Sequence, residues 1–152
     1  MKNYRNIAGA YHRALELGLV DGAEIVVWTD GVMEVEDDPA MAFIDASCSG
    51  GDHVVLLAAL QEVPGEADEV ARRQFMFGLM LGAVNRNADM ASPVAHALHS
   101  MALDKDVPDA DAEACMLRFH DELSNAGDGV AGRVDDIRGE LTEFLRQHGE
   151  VI

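Results

Sequence analysis

The chain has 152 residues, 49% of them hydrophobic, with 28 Asp or Glu against 11 Lys or Arg and a formal net charge of −17. The length suits one domain spanning 1–152, and the apolar content is ample for a core, so the acidity does not mark disorder, which needs low hydrophobicity as well as high charge. Direct nucleic-acid binding and attachment to an anionic membrane are disfavoured, because nothing in the sequence resembles a basic footprint.

The charge is unevenly spread. Between Arg13 and Arg72 there is no Lys or Arg, while fourteen carboxylates run from Glu16 to Glu69. Residues 1–20 carry +2, 21–70 carry −13, 71–103 carry +2, 104–136 carry −7 and 137–152 carry −1. Solubility asks for a net charge of only roughly 2–8 in magnitude, and the excess opposes compaction through self-repulsion, so it needs a further reason.

The apolar spacing is helical almost throughout. Tyr4, Ile7, Tyr11 and Leu15 share one face of a first helix that ends near Gly18. Segment 24–36 carries two signals: Asp30-Gly31 between apolar runs is a hairpin turn signature, whereas Ile25, Trp28, Val32 and Val35 are spaced for a helix, and Asp21 with Glu24 resembles a helix start. Helix is favoured, because an isolated hairpin has no sheet to join. Asp38-Pro39 opens a short helix through Ala46, and Ser49 with Asp52 matches the [ST]-x-x-[DE] capping pattern ahead of Val54 to Leu60, with Asp52 expected in the first turn. Pro64-Gly65 reads as a loop. Val70, Phe77, Leu81 and Val84 mark a central helix, in which Gly78 and Gly82 are spaced for close approach by another helix. Residues 93–103 form a helix with Pro93 in its first turn. Ala112, Met116, Phe119 and Leu123 give the next stripe, a loop spans 125–129, and Val130, Val134, Ile137, Leu141 and Leu145 give the last. The expected fold is all-α: a single-domain bundle or irregular array of seven to eight helices, with a small hairpin at 24–36 as the alternative for that segment.

Four clusters invite a chemical reading. Cys48 followed by Ser49-Gly50-Gly51-Asp52-His53 places a thiol and an imidazole near a helix start, where a thiol can act as a nucleophile; the simpler reading is a helix-starting turn. His96 and His99 are one helical turn apart and are weak candidates for a metal site, lacking an HExxH or CxxC partner motif. Segment 104–111 is rich in Asp but has Asp109 and Cys115 where a calcium loop needs Gly and Glu, so it reads as an acidic helix start. His120-Asp121-Glu122 lies at the edge of an amphipathic face, where a solvated rim outweighs a proton-transfer role. Walker, dinucleotide-binding, nucleophile-elbow and kinase motifs are absent from the sequence, no cofactor is expected, and the expectation leans away from an enzyme.

Cys48 and Cys115 are far apart and residues 1–6 lack an apolar leader core, so a cytoplasmic location with reduced thiols is expected. The functional expectation is a small acidic interaction or inhibitor protein with a basic protein partner. The favoured form is an immunity-type protein that neutralises a cationic, nuclease-like toxin, since nucleases need basic grooves for phosphates. Asp30, Glu34, Asp37, Asp38 and Asp45 are the leading contact residues. The alternative is a small helical enzyme or metal-binding protein centred on Cys48/His53 or His96/His99, and a third reading makes the acidity an adaptation to concentrated salt. The sequence leaves the oligomeric state open.

Overall fold

The computed structural model describes residues 2–126 and 131–152. Among these residues there are eight α-helices and one 3-10 turn, and no strand. In chain order the helices are α1 (Arg5–Glu16), α2 (Gly22–Val35), α3 (Met41–Ser47), α4 (His53–Gln61), α5 (Glu69–Arg86), α6 (Ala91–Leu103), α7 (Ala110–Ala126) and α8 (Ala131–His148), with the 3-10 turn at Ala88–Met90. They fall into two compact units whose boundary lies inside α5, between Met76 and Phe77. None of the described helices is long and apolar enough to cross a membrane.

Aspartates start much of this structure. The side chains of Asp21, Asp52, Asp68 and Asp109 accept hydrogen bonds from the first-turn amides of α2, α4, α5 and α7. Each satisfies a backbone donor that a helix start leaves unpaired. Asp52 is therefore the N-cap of α4 rather than a first-turn residue, and the Ser49 hydroxyl accepts from the Gly51 amide instead. The acidic turn ahead of α7 is accounted for in the same way by Asp109.

Segment 24–36 is helical up to Val35 and the hairpin alternative is not realised. Asp21 caps the start through Glu24 N–H at 2.9 Å, and Ile25 and Val32 are buried, so cap and core agree on a helix through Asp30-Gly31. The buried stripe stops at Val32. Val35, one turn on, is 73% exposed where the chain leaves the helix at Glu36.

In the N-terminal unit α1 packs on α4, and α2, α3 and α4 pack on one another. Its core is a ring cluster of Tyr4, Tyr11, Trp28 and Phe43, with centroid separations of 5.0 to 6.3 Å. The Tyr4 hydroxyl donates to Glu36 at 2.8 Å. Burial raises the Tyr4 pKa above the ordinary tyrosine value, and the Glu36 carboxylate raises it further. Buried Thr29 is satisfied by the Val26 carbonyl and the Ser47 hydroxyl, which ties α2 to α3. The connection from α4 to α5 is held to α1 by side chains: Arg5 donates to the carbonyls of Gln61 and Val63, while Asn6 donates to Glu66 O and accepts from Asp68 N–H.

In the C-terminal unit α6 packs on α7 and α8, and α7 on α8. Phe144 of α8 makes edge contacts with Phe77 and Phe119, and Leu98, Met116 and Leu141 of the same unit have no exposed surface. The Gly78/Gly82 spacing works differently from the expectation of helix approach: the backbone of Glu150, beyond the end of α8, fills the space a Cβ on Gly78 needs, while Gly82 meets only the Arg86 side chain. Of the loop expected at 125–129, Asn125 belongs to α7 with Ala126, and the remainder lies outside the described residues.

Both α1 and α6 end in a Schellman pattern, in which the residue beyond the helix adopts positive φ. At α1 this residue is Gly18 (φ 73°), with Leu19 N–H on Ala14 O and Gly18 N–H on Leu15 O. At α6 it is Lys105 (φ 61°), with the matching bonds from Asp106 to Met101 O and from Lys105 to Ala102 O. A side chain in the left-handed region costs about 1 kcal/mol relative to glycine, and the exposed Lys105–Glu113 pair returns only a fraction of that. Lys105→Gly is expected to stabilise the protein by about 0.5–1 kcal/mol, read as a higher denaturation midpoint; a lower midpoint would show that the ion pair dominates.

Candidate functional site

Apart from half-buried Glu24, the fourteen carboxylates of the cation-free stretch separate into two groups, six engaged and seven not engaged among the described residues. Asp21, Asp52 and Asp68 cap helices, Glu36 accepts from Tyr4, Glu69 pairs with Arg72, and Glu16 lies 3.2 Å from His12. By contrast, Asp30, Glu34, Asp37, Asp38 and Asp45 are all exposed, and none of their carboxylates has a hydrogen bond or ion pair among the described residues. Glu62 and Glu66 share that state at the side chain. Asp30 and Glu34 are one turn apart on the exposed face of α2, Asp37 and Asp38 follow in the connection to α3, and Asp45 stands on α3.

The C-terminal unit treats its acidity differently. Glu113 pairs with Lys105, Glu122 and Glu140 with Arg118, Asp135 with Arg138, and Glu143 with Arg146. These pairs engage five of the unit's fourteen carboxylates, and with six Lys or Arg it stays acidic overall. The N-terminal unit, with five Lys or Arg against fourteen Asp or Glu, has no cation on α2, α3 or α4 to do the same.

Its cations gather elsewhere. A cavity of about 240 Å³ is lined by Arg5, His12 and Arg72 together with Asn6, Gln61 and Glu69. Arg5 is committed to carbonyls of the α4–α5 connection and ties it to α1, whereas Arg72 pairs with Glu69 within α5.

Cys48 is exposed at the end of α3 and His53 is exposed at the start of α4, and among the described residues no hydrogen bond joins them. The two glycines between them make the turn, and Gly51 also packs. Gly50 and Gly51 hold positive φ (65° and 83°), and the Gly51 backbone lies against Gly22 so closely that no Cβ fits there.

His96 and His99 lie on α6, where His120 of α7 meets both, with ring centroids 5.2 Å from His96 and 5.5 Å from His99. Among the described residues no three His, Cys, Asp or Glu side chains are placed to hold a metal ion. The three histidines form a ring contact between two helices, and Asp121 beside His120 is exposed.

A feature that patterning by period does not single out lies between α3 and α4. A groove of about 480 Å³ is lined by Cys48, Val54, Val55, Ala58 and Ala59, with Asp45 and Glu62 at its margins. The available signal was composition: residues 54–60 are seven consecutive apolar residues, yet the helix they form leaves Val54 and Val55 exposed. Compared with protein-family models, with curated proteins and with solved structures, the chain matches none.

Proposed function

We propose that this chain is a small cytoplasmic interaction protein that binds a basic protein partner through the α2–α4 face of its N-terminal unit, acting as an immunity-type inhibitor of a cationic, nuclease-like toxin. The observation that carries the reading is the set of five exposed carboxylates, Asp30, Glu34, Asp37, Asp38 and Asp45, that no group among the described residues engages. Unpaired like charges on a folded surface repel one another, and a basic partner relieves that repulsion on contact. Three of the five are held on helices and two in the short connection between them, so they present fixed positions that a complementary pattern can recognise, and their field speeds encounter more than it strengthens the final complex.

The test begins with affinity capture from the native lysate at about 50 and about 500 mM NaCl, the range over which exposed charges become screened. The captured partner is expected to be basic and released at high salt. With that partner purified, neutralising all five residues (D30N, E34Q, D37N, D38N, D45N) is expected to slow association by about tenfold or more at low salt, with a smaller change in dissociation. An association rate insensitive to both salt and the five substitutions would remove this reading.

A further inference from the structure

We infer that the groove between α3 and α4 is the docking site for an amphipathic α-helix of the basic partner, its apolar stripe seated on α4 and its flanking Lys or Arg residues set against Asp45 and Glu62. The inference rests on the reading of the chain as a binder of a basic protein and names the place and the form of the contact.

The physical ground is the unfinished burial of α4. A helix that is apolar all round belongs in an interior. Residues 54–60 contain no polar side chain, and the helix carries no charged residue from His53 to Gln61. Inside the unit, however, only Leu56, Ala59 and Leu60 are buried, while Val54 is 78% and Val55 42% exposed. On α3, Met41 and Ile44 are also exposed. Exposed apolar groups that adjoin a concavity, rather than lying singly, mark a surface that is covered in use.

Charge decides the occupant. The groove's margins are carboxylates without a side-chain partner among the described residues; no Lys or Arg lies on α3 or α4, and Arg5, which reaches the backbone beside Glu62, is committed to the Gln61 and Val63 carbonyls. An acidic helix, an anionic membrane or a second copy of this chain, itself at −17, brings like charge to that margin. A basic amphipathic helix supplies both halves of the match: apolar anchors at i, i+3/4 and i+7 for the floor, and cations for the rim.

Cys48 lines the groove and reports its occupancy, and Cys115, on α7 outside it, is an internal control. The experiment follows iodoacetamide alkylation of each cysteine by mass spectrometric peptide mapping in the unaltered protein. Three synthetic peptides of about fourteen residues, about four helical turns, are added in turn: a Leu/Lys amphipathic helix, its Leu/Glu counterpart, and a Ser/Lys peptide with the same charges and no apolar stripe. The Leu/Lys peptide is expected to slow Cys48 alkylation by about fivefold or more at saturation, as a seated helix covers the floor, and to leave Cys115 unchanged. The other two peptides are expected to leave both rates unchanged. In V54D/V55D protein, altered only at exposed positions, the protection is expected to vanish.

Absence of protection by the Leu/Lys peptide overturns the inference, as does equal protection by Ser/Lys or Leu/Glu. Concentration-dependent protection of Cys48 without peptide also overturns it, by placing a second copy in the groove. Salt-sensitive binding of Ser/Lys and Leu/Lys alike, with Cys48 unprotected, sinks the groove and leaves the acidic-surface reading standing; no binding of either cationic peptide at low salt sinks both.

Discussion

Phe43→Ala is expected to lower the unfolding free energy of the N-terminal unit by about 3–5 kcal/mol, the range for truncating a buried aromatic. Phe43 has no exposed surface and makes edge contacts with Tyr4 at 5.5 Å and Trp28 at 5.8 Å. α3 is a single short helix of 7 residues whose buried side chains are Ala42, Phe43 and Ala46, so Phe43 supplies nearly all of the large apolar surface it offers the core. Removing the ring leaves a cavity bounded by two other rings that are themselves held, Tyr4 by Glu36 and Trp28 by Tyr11. Such a site collapses poorly, which pushes the loss toward the upper end. Trp28 is the single tryptophan, so denaturant unfolding followed by its fluorescence reads this unit directly. Phe43→Leu, which keeps most of the volume, is expected to lose less than half as much. A loss below about 1 kcal/mol for the alanine variant, typical of a half-exposed site, would mean that the ring cluster is not the core of this unit.

Gly22→Ala and Gly31→Ala are expected to have opposite signs although both lie in α2. Alanine is the better helix former by about 1 kcal/mol in a helix interior, and Gly31 is exposed with no atom near its missing side chain, so Gly31→Ala is expected to stabilise by about 0.5–1 kcal/mol. At Gly22 the added Cβ runs into the backbone carbonyl of Gly51. Backbone has no rotamer to escape into, and Gly51 at φ 83° is itself in a conformation only glycine adopts without strain. The start of α2 and the α3–α4 turn must separate, with an expected loss of about 1–3 kcal/mol, as for other overpacked sites. Because that turn carries Cys48 and leads into α4, the same variant is expected to raise the alkylation rate of Cys48. Equal stabilisation by both alanines would show that the Gly22–Gly51 contact opens without cost.

Much of the fold was legible in the residues because the information was local. The stripe Tyr4, Ile7, Tyr11, Leu15 repeats at helical spacing and is buried as a set. Asp21 with Glu24 signalled the start of α2, Gly18 the end of α1, and the Asp-rich turn before α7 a helix start, since each depends on atoms within a few residues of one another. Where a local signal competed with packing, packing prevailed: Asp30-Gly31 favours a turn in isolation, but Ile25 and Val32 bury only if the helix continues through it.

The candidate surface divides along the same line. That the region from Arg13 to Arg72 is purely anionic follows from composition, as does the uncharged character of residues 54–60. Which carboxylates serve the fold and which face solvent unengaged did not follow, because Glu36 finds Tyr4 across 32 residues and Asn6 finds Asp68 across 62. The meeting of His96 and His99 with His120, the use of Gly78 by the backbone of Glu150, and the groove between α3 and α4 are likewise products of distant segments brought together. Helical period and caps are written in neighbouring residues and can be read in order. Exposure, pairing and concavity are properties of the space between helices, and they come into being only when the helices pack.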